Sequence, residues 1–320
     1  MRLRRVLASL SIFIFLLTPA LVVWQQRTIR DWWILRSYTP TAAVVQLSND
    51  VTMTQKAQHV FYVSRPQLQH KTDFQKSCTT TEQTIVLGCY KANEGIYIYD
   101  VDDVRLAGVQ QVTAVHEMLH AAYDRLSSKE RRHVDALVQQ AYEGIKNERI
   151  TKNVDAYRKK DATVVPNELH SILGSEVQAL PAELEQYYSR YFSDRQEVVR
   201  YSESYENEFS EREKQVASYD AQLEALRQRY DTLKAKIVSE ESELSTLIAS
   251  LNASADSSDV ANYNAKVTQY RRLYSTYTSD ISAINAIVAT YKTILEKRNA
   301  IALEEQSLLQ AIDTRASTSP

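Results

Sequence analysis

The feature that most constrains this chain is the absence of glycine and proline from its last third. Neither residue occurs between Ala182 and Ser319. Glycine and proline most readily interrupt regular structure, so a segment without them predicts long, continuous helix. All five glycines lie between Gly88 and Gly174. The chain therefore predicts a turn-containing middle region followed by a helical tail.

Apolar residues in the tail recur at alternating steps of three and four. The first series is Val216, Tyr219, Leu223, Leu226, Tyr230, Leu233, Ile237, Leu244, Leu247 and Leu251, interrupted at Glu240; the second is Tyr263, Val267, Tyr270, Tyr274, Tyr277, Ile281, Ile284, Val288 and Tyr291. A sustained heptad pattern predicts coiled coil. The small, polar residues 252–262 predict a loop between the two arms. We expect an antiparallel hairpin, with a parallel homodimer as the alternative, that contacts a protein partner or mediates self-association.

The N-terminus has the pattern of a membrane anchor. Residues 6–24 form an uncharged, largely apolar run behind three arginines within residues 1–5. A run of this length is sufficient to cross a bilayer, and the preceding positive charges keep the N-terminus in the cytoplasm. A cleaved secretory signal is the alternative, although its apolar region would be shorter. The expectation is a single-pass plasma-membrane protein with an extracytoplasmic catalytic domain, or a secreted protein if the segment is cleaved.

Charge and cysteine content narrow the function further. The formal net charge is -2, and the sequence has no cluster of basic residues of the kind that binds nucleic acid. Nucleic acid is therefore not expected as a partner. Cys78 and Cys89 are the only cysteines. An even number of cysteines outside the cytoplasm favours a disulfide between them. Two unrelated buried thiols are the alternative.

The middle of the chain predicts strands followed by a helix. Residues 84–90 and 96–101 are rich in β-branched and aromatic residues and flank a turn-like segment, which predicts a β-hairpin. Residues 60–63 are predicted as a further strand. Apolar residues then recur at helical spacing from about Val104 or Leu106 to Leu126, which predicts an amphipathic helix.

His116, Glu117 and His120 lie on that predicted helix. Histidines at positions i and i+4 share one helix face, so both imidazoles can bind one zinc ion. Glu117 follows the first histidine and can act as general base toward a water molecule activated by the metal. A solvated helix face that carries two histidines by chance is the alternative.

This arrangement resembles the zincin metallopeptidases, in which a strand precedes the helix that carries the HExxH motif. The resemblance implies that residues 96–100 form the edge strand along which a substrate backbone binds. Asn167, Glu168 and Ser171 resemble the segment by which gluzincins supply a glutamate ligand, which would make Glu168 the third zinc ligand. Ile172 departs from that pattern, since the family has an aspartate there that orients a ligand histidine.

Other residues near the motif compete for these roles. Glu176 and His170 are alternative third ligands, and Glu176 is also a candidate to hold a ligand imidazole in place. His170, Tyr187 and Tyr188 are candidates to donate a hydrogen bond to a developing oxyanion. Tyr191 and Tyr123 are further candidates for this donor.

These observations together predict an α+β fold. Residues 1–5 form a cytoplasmic stub, 6–24 the anchor and 25–40 a connector. Residues 41–192 form a zincin-like catalytic domain with a small antiparallel sheet and the HExxH helix. Residues 193–320 form the coiled-coil hairpin with a short tail.

The predicted function is that of a zinc-dependent metalloendopeptidase with one Zn²⁺ ion and an extracytoplasmic protein or peptide as substrate. Cell-wall peptide is a further substrate that the residues do not distinguish. The alternative is a non-catalytic, membrane-anchored coiled-coil scaffold with a structural metal site.

Overall fold

The computed structural model describes residues 26–78, 85–255 and 258–315, most of them helical. They divide into two compact units, one of residues up to Asn207 together with those from Gln310 onward, the other Glu208–Leu309. The helices are α1 (residues 26–37), α2 (Ala42–Asp50), α3 (Gln55–Val63), α4 (Lys71–Ser77), α5 (Val109–Asp124), α6 (Ser128–Glu143), α7 (Glu148–Lys160), α8 (Val165–Glu176), α9 (Ala182–Tyr188), α10 (Arg195–Ala253) and α11 (Val260–Ile312). The strands are β1 (Gln67–Gln69), β2 (Gly88–Lys91) and β3 (Gly95–Tyr99).

The three strands form one small mixed sheet in the order β1-β3-β2. β2 and β3 are the predicted hairpin, paired antiparallel with Tyr90 opposite Ile96, and Asn93 in their turn adopts a positive φ of 69°. β1 pairs with β3 in parallel. The prediction of a small antiparallel sheet is therefore confirmed for β2 and β3 and wrong for β1. The prediction that residues 96–100 form the edge strand is also wrong, because β3 lies in the middle and the two edges are β1 and β2.

The predicted strand at residues 60–63 is the end of helix α3. Thr54 caps this helix by accepting a hydrogen bond from the Ala57 amide. Ala57, Val60 and Phe61 are buried together, as residues on one face of a helix are. The β-branched composition of the segment is therefore overridden by the N-cap and by burial of a helical face.

Helix α5 is the centre of the first unit and packs against α8 on one side and the sheet on the other. Met118 and Leu119 of α5 and Leu169 of α8 are fully buried. The two helices meet closely at Gly174, where a β-carbon would lie 2.5 Å from Leu119 Cδ1. This packing holds the histidine-bearing face of α5 beside the first turns of α8.

The second unit is an antiparallel hairpin of α10 and α11, as predicted. Lys236 pairs with Asp280 and Asp220 with Arg298, so residues farther along α10 meet residues earlier on α11. The first predicted series faces α11, and Glu240 is buried within it beside Lys236.

The register predicted for the second series is partly wrong. Leu273 and Ile287 face α10, whereas Tyr274 and Val288 are exposed. Both sets follow a seven-residue spacing, so the sequence pattern alone could not decide which one packs against α10.

The predicted anchor, residues 6–24, lies outside the described residues. Among the helices of residues 26–78, 85–255 and 258–315, none combines the length and apolar character that a membrane span requires.

Candidate metal centre

Helix α5 presents His116 and His120 one turn apart on the same face, as the motif predicts. Their ring centroids lie 4.7 Å apart. Both side chains are only partly buried, with 19% and 12% of their surface exposed. The two imidazoles can therefore reach one ion that is accessible to solvent.

Helix α8 brings Glu168 to the same point. Its Oε2 atom lies 3.7 Å from Nε2 of His116 and 3.7 Å from Nε2 of His120. Those separations are close to the roughly 3.4 Å between two ligand atoms on a tetrahedral zinc ion. One ligand atom from each of the three residues falls within 4.8 Å of the others, so His116, His120 and Glu168 can hold a metal ion.

The buried polar atoms of this cluster lack partners that would satisfy them. Glu168 Oε2 has no hydrogen-bond partner among the described residues, and neither does His120 Nδ1. Burying a polar atom without a partner is costly, so an atom of this kind indicates a missing ligand. A cation bound between Glu168 Oε2 and the Nε2 atoms of His116 and His120 would satisfy the carboxylate and both imidazoles.

The electrostatics of the metal-free cluster agree with a cation at this place. Burial alone would lower the pKa of His116, but the carboxylates of Glu168 and Glu117 raise it to about 9. Burial would raise the pKa of Glu168, yet the two histidines lower it. The cluster thus stabilises positive charge between His116 and Glu168.

Glu117 lies on the buried side of the motif and is 6% exposed. Burial raises the pKa of its carboxyl group above the usual value, while His120 and His116 act in the opposite direction. The backbone of Tyr90, in β2, also acts to lower this pKa. The edge strand therefore positions the side chain that the motif assigns as general base.

A cleft of about 500 Å³ opens beside His116 and Glu117. One wall is apolar and comes from residues 85–88, Val112 and Ile172. The opposite wall is polar and comes from α7, through Asn153, Tyr157 and Lys160, with Glu176 and Tyr205.

Tyr157 is a site residue that the sequence analysis missed. Its side chain interacts with the Glu168 carboxylate and helps to lower the pKa of that carboxyl group. With 20 tyrosines in the chain and no motif around Tyr157, the sequence carries no signal that singles it out. Only the packing of α7 over the cleft identifies it.

The competing third ligands are not part of the cluster. The Glu176 carboxylate accepts a hydrogen bond of 2.6 Å from Arg149, which also pairs with Glu206. The side chain of His170 is fully buried and forms a 2.9 Å hydrogen bond with the Tyr187 hydroxyl. Glu168 is therefore the third residue of the cluster, and neither Glu176 nor His170 replaces it.

The predicted oxyanion donors also have other partners. The Tyr188 hydroxyl donates to the backbone carbonyl of His170 at 2.6 Å. His170, Tyr187 and Tyr188 form a buried aromatic group behind α8, away from the residues that line the cleft. Burial lowers the pKa of His170 to about 3, so its ring is neutral at pH 7.

Glu176 does not hold a ligand imidazole, although it lines the cleft. His120 Nδ1 has no hydrogen-bond partner among the described residues. Histidine ligands usually donate this second nitrogen to a carboxylate or carbonyl group.

The predicted disulfide is present between Cys78, at the end of α4, and Cys89 of β2. It anchors the edge strand one residue after Gly88, at the apolar wall of the cleft.

No known protein-family model matches this chain, and searches of curated proteins and of solved structures found no match. The structure itself defines the class as a mostly helical protein with a small three-stranded sheet, long C-terminal helices and a His116, His120 and Glu168 cluster that can hold a metal ion.

Proposed function

We propose that this chain is a zinc-dependent metallopeptidase that hydrolyses peptide bonds of proteins or peptides. The proposal rests on the convergence of His116, His120 and Glu168, whose ligand atoms lie within 4.8 Å of one another. The buried Glu117 lies beside the two histidines on α5. Two imidazoles and one carboxylate are a ligand set typical of catalytic zinc, which keeps an open coordination position. A structural zinc site usually has four protein ligands, and the described residues provide three.

The chemistry follows from the position of each side chain. A bound zinc ion supplies Lewis acidity that polarises the scissile carbonyl group and lowers the pKa of water. Glu117 takes a proton from the attacking water and returns it to the departing amine. Tyr157, beside Glu168 on the polar wall, donates a hydrogen bond to the oxyanion that develops on the substrate.

The cleft supports an extended peptide as substrate. β2 pairs with β3 on one side only, and the N–H of Tyr90 on its other side points toward α5 and Glu117. A substrate backbone that runs along residues 85–88 would place one carbonyl group beside the metal cluster. The apolar wall favours an aliphatic side chain next to the scissile bond.

The test is cleavage of a mixed peptide library by the purified full-length chain, read by mass spectrometry. The zinc-loaded wild type should cleave, and removal of zinc with a chelator should abolish cleavage. Glu117→Gln should retain zinc and lose at least 100-fold in kcat/KM. Two outcomes would refute the proposal: a zinc-loaded wild type that cleaves no peptide, or full activity in Glu117→Gln.

A further inference from the structure

Helix α11 carries an apolar stripe that its partner in the hairpin does not cover. In the heptads of α11, residues at positions a (such as Tyr277 and Ile284) and d (such as Leu273 and Ile287) face α10. Position e, the residue after each d, lies beside them. The outer stripe comprises the e residues Val260, Val267, Tyr274, Ile281, Val288, Leu295, Ala302 and Leu309. Every residue of the stripe is apolar through the whole length of the helix.

Much of the outer stripe faces solvent. Tyr274 is 50% exposed, and Val288 and Leu295 are each 37% exposed. An isolated exposed apolar residue is ordinary, but a continuous line of them on one helix marks an interaction surface. From Val260 to Leu309 the line is about 75 Å long at 1.5 Å per residue.

Helix α10 lacks a corresponding stripe. Its e positions are Asp220, Arg227, Lys234, Glu241 and Ile248, mostly charged, as in a two-stranded coiled coil. Apolar residues at a, d and e together are instead typical of a helix that packs against two neighbours in a bundle. The hairpin provides one neighbour for α11, and the outer stripe requires a second.

We propose that the outer stripe pairs antiparallel with the outer stripe of a second copy of this chain, so that two hairpins associate through their α11 helices into a two-fold symmetric dimer. The proposal is independent of the peptidase function.

The unbroken apolar character of the stripe allows a two-fold pairing over its whole length. If the two-fold axis passes midway between Ile281 and Val288, then Ile281 of each copy faces Val288 of the other copy. In the same register Tyr274 faces Leu295, Val267 faces Ala302 and Val260 faces Leu309. All eight positions find an apolar partner, and a shift by one heptad would leave one position of each copy without a partner.

Charges at the border of the stripe are compatible with this register. The b positions there are Asn264, Arg271, Thr278, Asn285, Lys292, Asn299 and Gln306. In the antiparallel register Arg271 faces Asn299 and Lys292 faces Thr278, so no like charges meet. A strongly charged partner protein would find few complementary charges along this border.

A groove on the same side of the hairpin offers room for the second copy. It has a volume of about 420 Å³ and includes Tyr230 of α10 and Val288 and Leu295 of the outer stripe. The proposed register places Ile281 and Tyr274 of the second copy opposite those two stripe residues. Side chains of one copy can therefore insert into the groove of the other.

The first test is the mass of the full-length chain in solution, measured by light scattering with any detergent contribution subtracted. The wild type should have twice the monomer mass of 36.6 kDa. Val288→Glu places a charge at the centre of the interface and should give the monomer mass. Ser279→Glu, an exposed c position on another face of α11, should leave the dimer intact. Circular dichroism should show the same helix content in all three proteins.

The second test is cross-linking. Both native cysteines are in the disulfide, so an introduced cysteine is the only free thiol. A chain with both Ile281→Cys and Val288→Cys should form a disulfide-linked dimer. Val288→Cys alone should not, because the two position-288 side chains of the dimer would lie about 10 Å apart along the helix axis. A monomeric wild type or a dimeric Val288→Glu would overturn the proposal. Efficient cross-linking of Val288→Cys alone would overturn the antiparallel pairing.

Discussion

The backbone of Gly88 lies against the side chain of Glu117, so closely that a β-carbon at position 88 would lie 2.8 Å from Glu117 Cγ. The same β-carbon would lie 2.5 Å from the methyl group of Thr113. Thr113 cannot easily turn away, because its hydroxyl group donates a 2.8 Å hydrogen bond to the Val109 carbonyl. Gly88 therefore permits the edge strand β2 and the motif helix α5 to approach closely at Glu117, the proposed general base.

Gly88→Ala should displace Glu117 without removing a metal ligand. We expect kcat to fall at least 10-fold while zinc content stays at that of the wild type, because a misplaced general base affects proton transfer. Steady-state kinetics and elemental analysis measure the two quantities. Gly144→Ala is the matched control, because a β-carbon there meets its nearest neighbour at an ordinary 3.5 Å. Equal activity in both variants would show that the close approach at Gly88 is unimportant.

Tyr157→Phe should reduce kcat by about 100-fold, the usual loss when one oxyanion donor is removed. The phenyl ring keeps its packing and only the hydroxyl group is lost, so zinc content and thermal stability should change little. Tyr142→Phe is the control and should keep full activity, because Tyr142 is a partly buried tyrosine of α6 that packs against the core. If Tyr157→Phe lost zinc and activity in parallel, its hydroxyl group would serve to orient Glu168 instead.

The sequence was sufficient to predict the cluster of residues that can hold a metal ion, but not the residues that surround it. His116 and His120 are local, because the helical period alone brings residues i and i+4 together. Glu168 required the resemblance to gluzincins. Tyr157 is distant in sequence from both and depends on how α7 packs. The burial of Tyr187 and Tyr188 in the core could not be predicted for the same reason, because it depends on tertiary packing.

The disulfide should stabilise the first unit. A cross-link with a sequence separation of 11 contributes about 3 kcal/mol in the chain-entropy model. We expect the double variant Cys78→Ser with Cys89→Ser to unfold at lower urea concentration than the wild type. Reductant should destabilise the wild type and leave the variant unchanged. Equal urea midpoints for the oxidised wild type and the variant would contradict this expectation.

The ion pair of Asp31 and Arg125 should make stability depend on pH. Two hydrogen bonds of 2.8 and 3.0 Å join them. Burial would raise the pKa of Asp31, but Arg125 and His59 lower it below its ordinary 3.8. A carboxyl group whose pKa is lowered by folding contributes stability above its unfolded value, and this contribution disappears as the pH falls through the folded value.

Asp31→Asn should therefore be less stable than the wild type at pH 7, with a difference that shrinks as the pH falls below 3.8. Urea unfolding at a series of pH values measures this difference. The control is Asp73→Asn, which removes an exposed pair with Lys76 and should change stability little at any pH. A difference for Asp31→Asn that stays constant down to pH 2 would contradict the assignment.

The fold was predictable where a pattern has one physical meaning. The missing glycine and proline residues and the heptads of α10 were enough to predict the hairpin. The order of the sheet was not predictable, because β1 is short and pairs in parallel with a strand far along the chain. The register of α11 was ambiguous because Val288 and Ile287 are both apolar and adjacent, and only packing on α10 decides between them.

The most direct test of the central claim is the zinc content of the purified full-length chain, compared with Glu168→Ala and Glu176→Gln. We expect about one zinc ion per chain in the wild type, loss of zinc in Glu168→Ala, and retention in Glu176→Gln, because the Glu176 carboxylate of the wild type pairs with Arg149 and not with the metal cluster. Retention in Glu168→Ala with loss in Glu176→Gln would show that the third ligand is misassigned. A wild type that binds no zinc after loading would contradict the metal centre and the peptidase function with it.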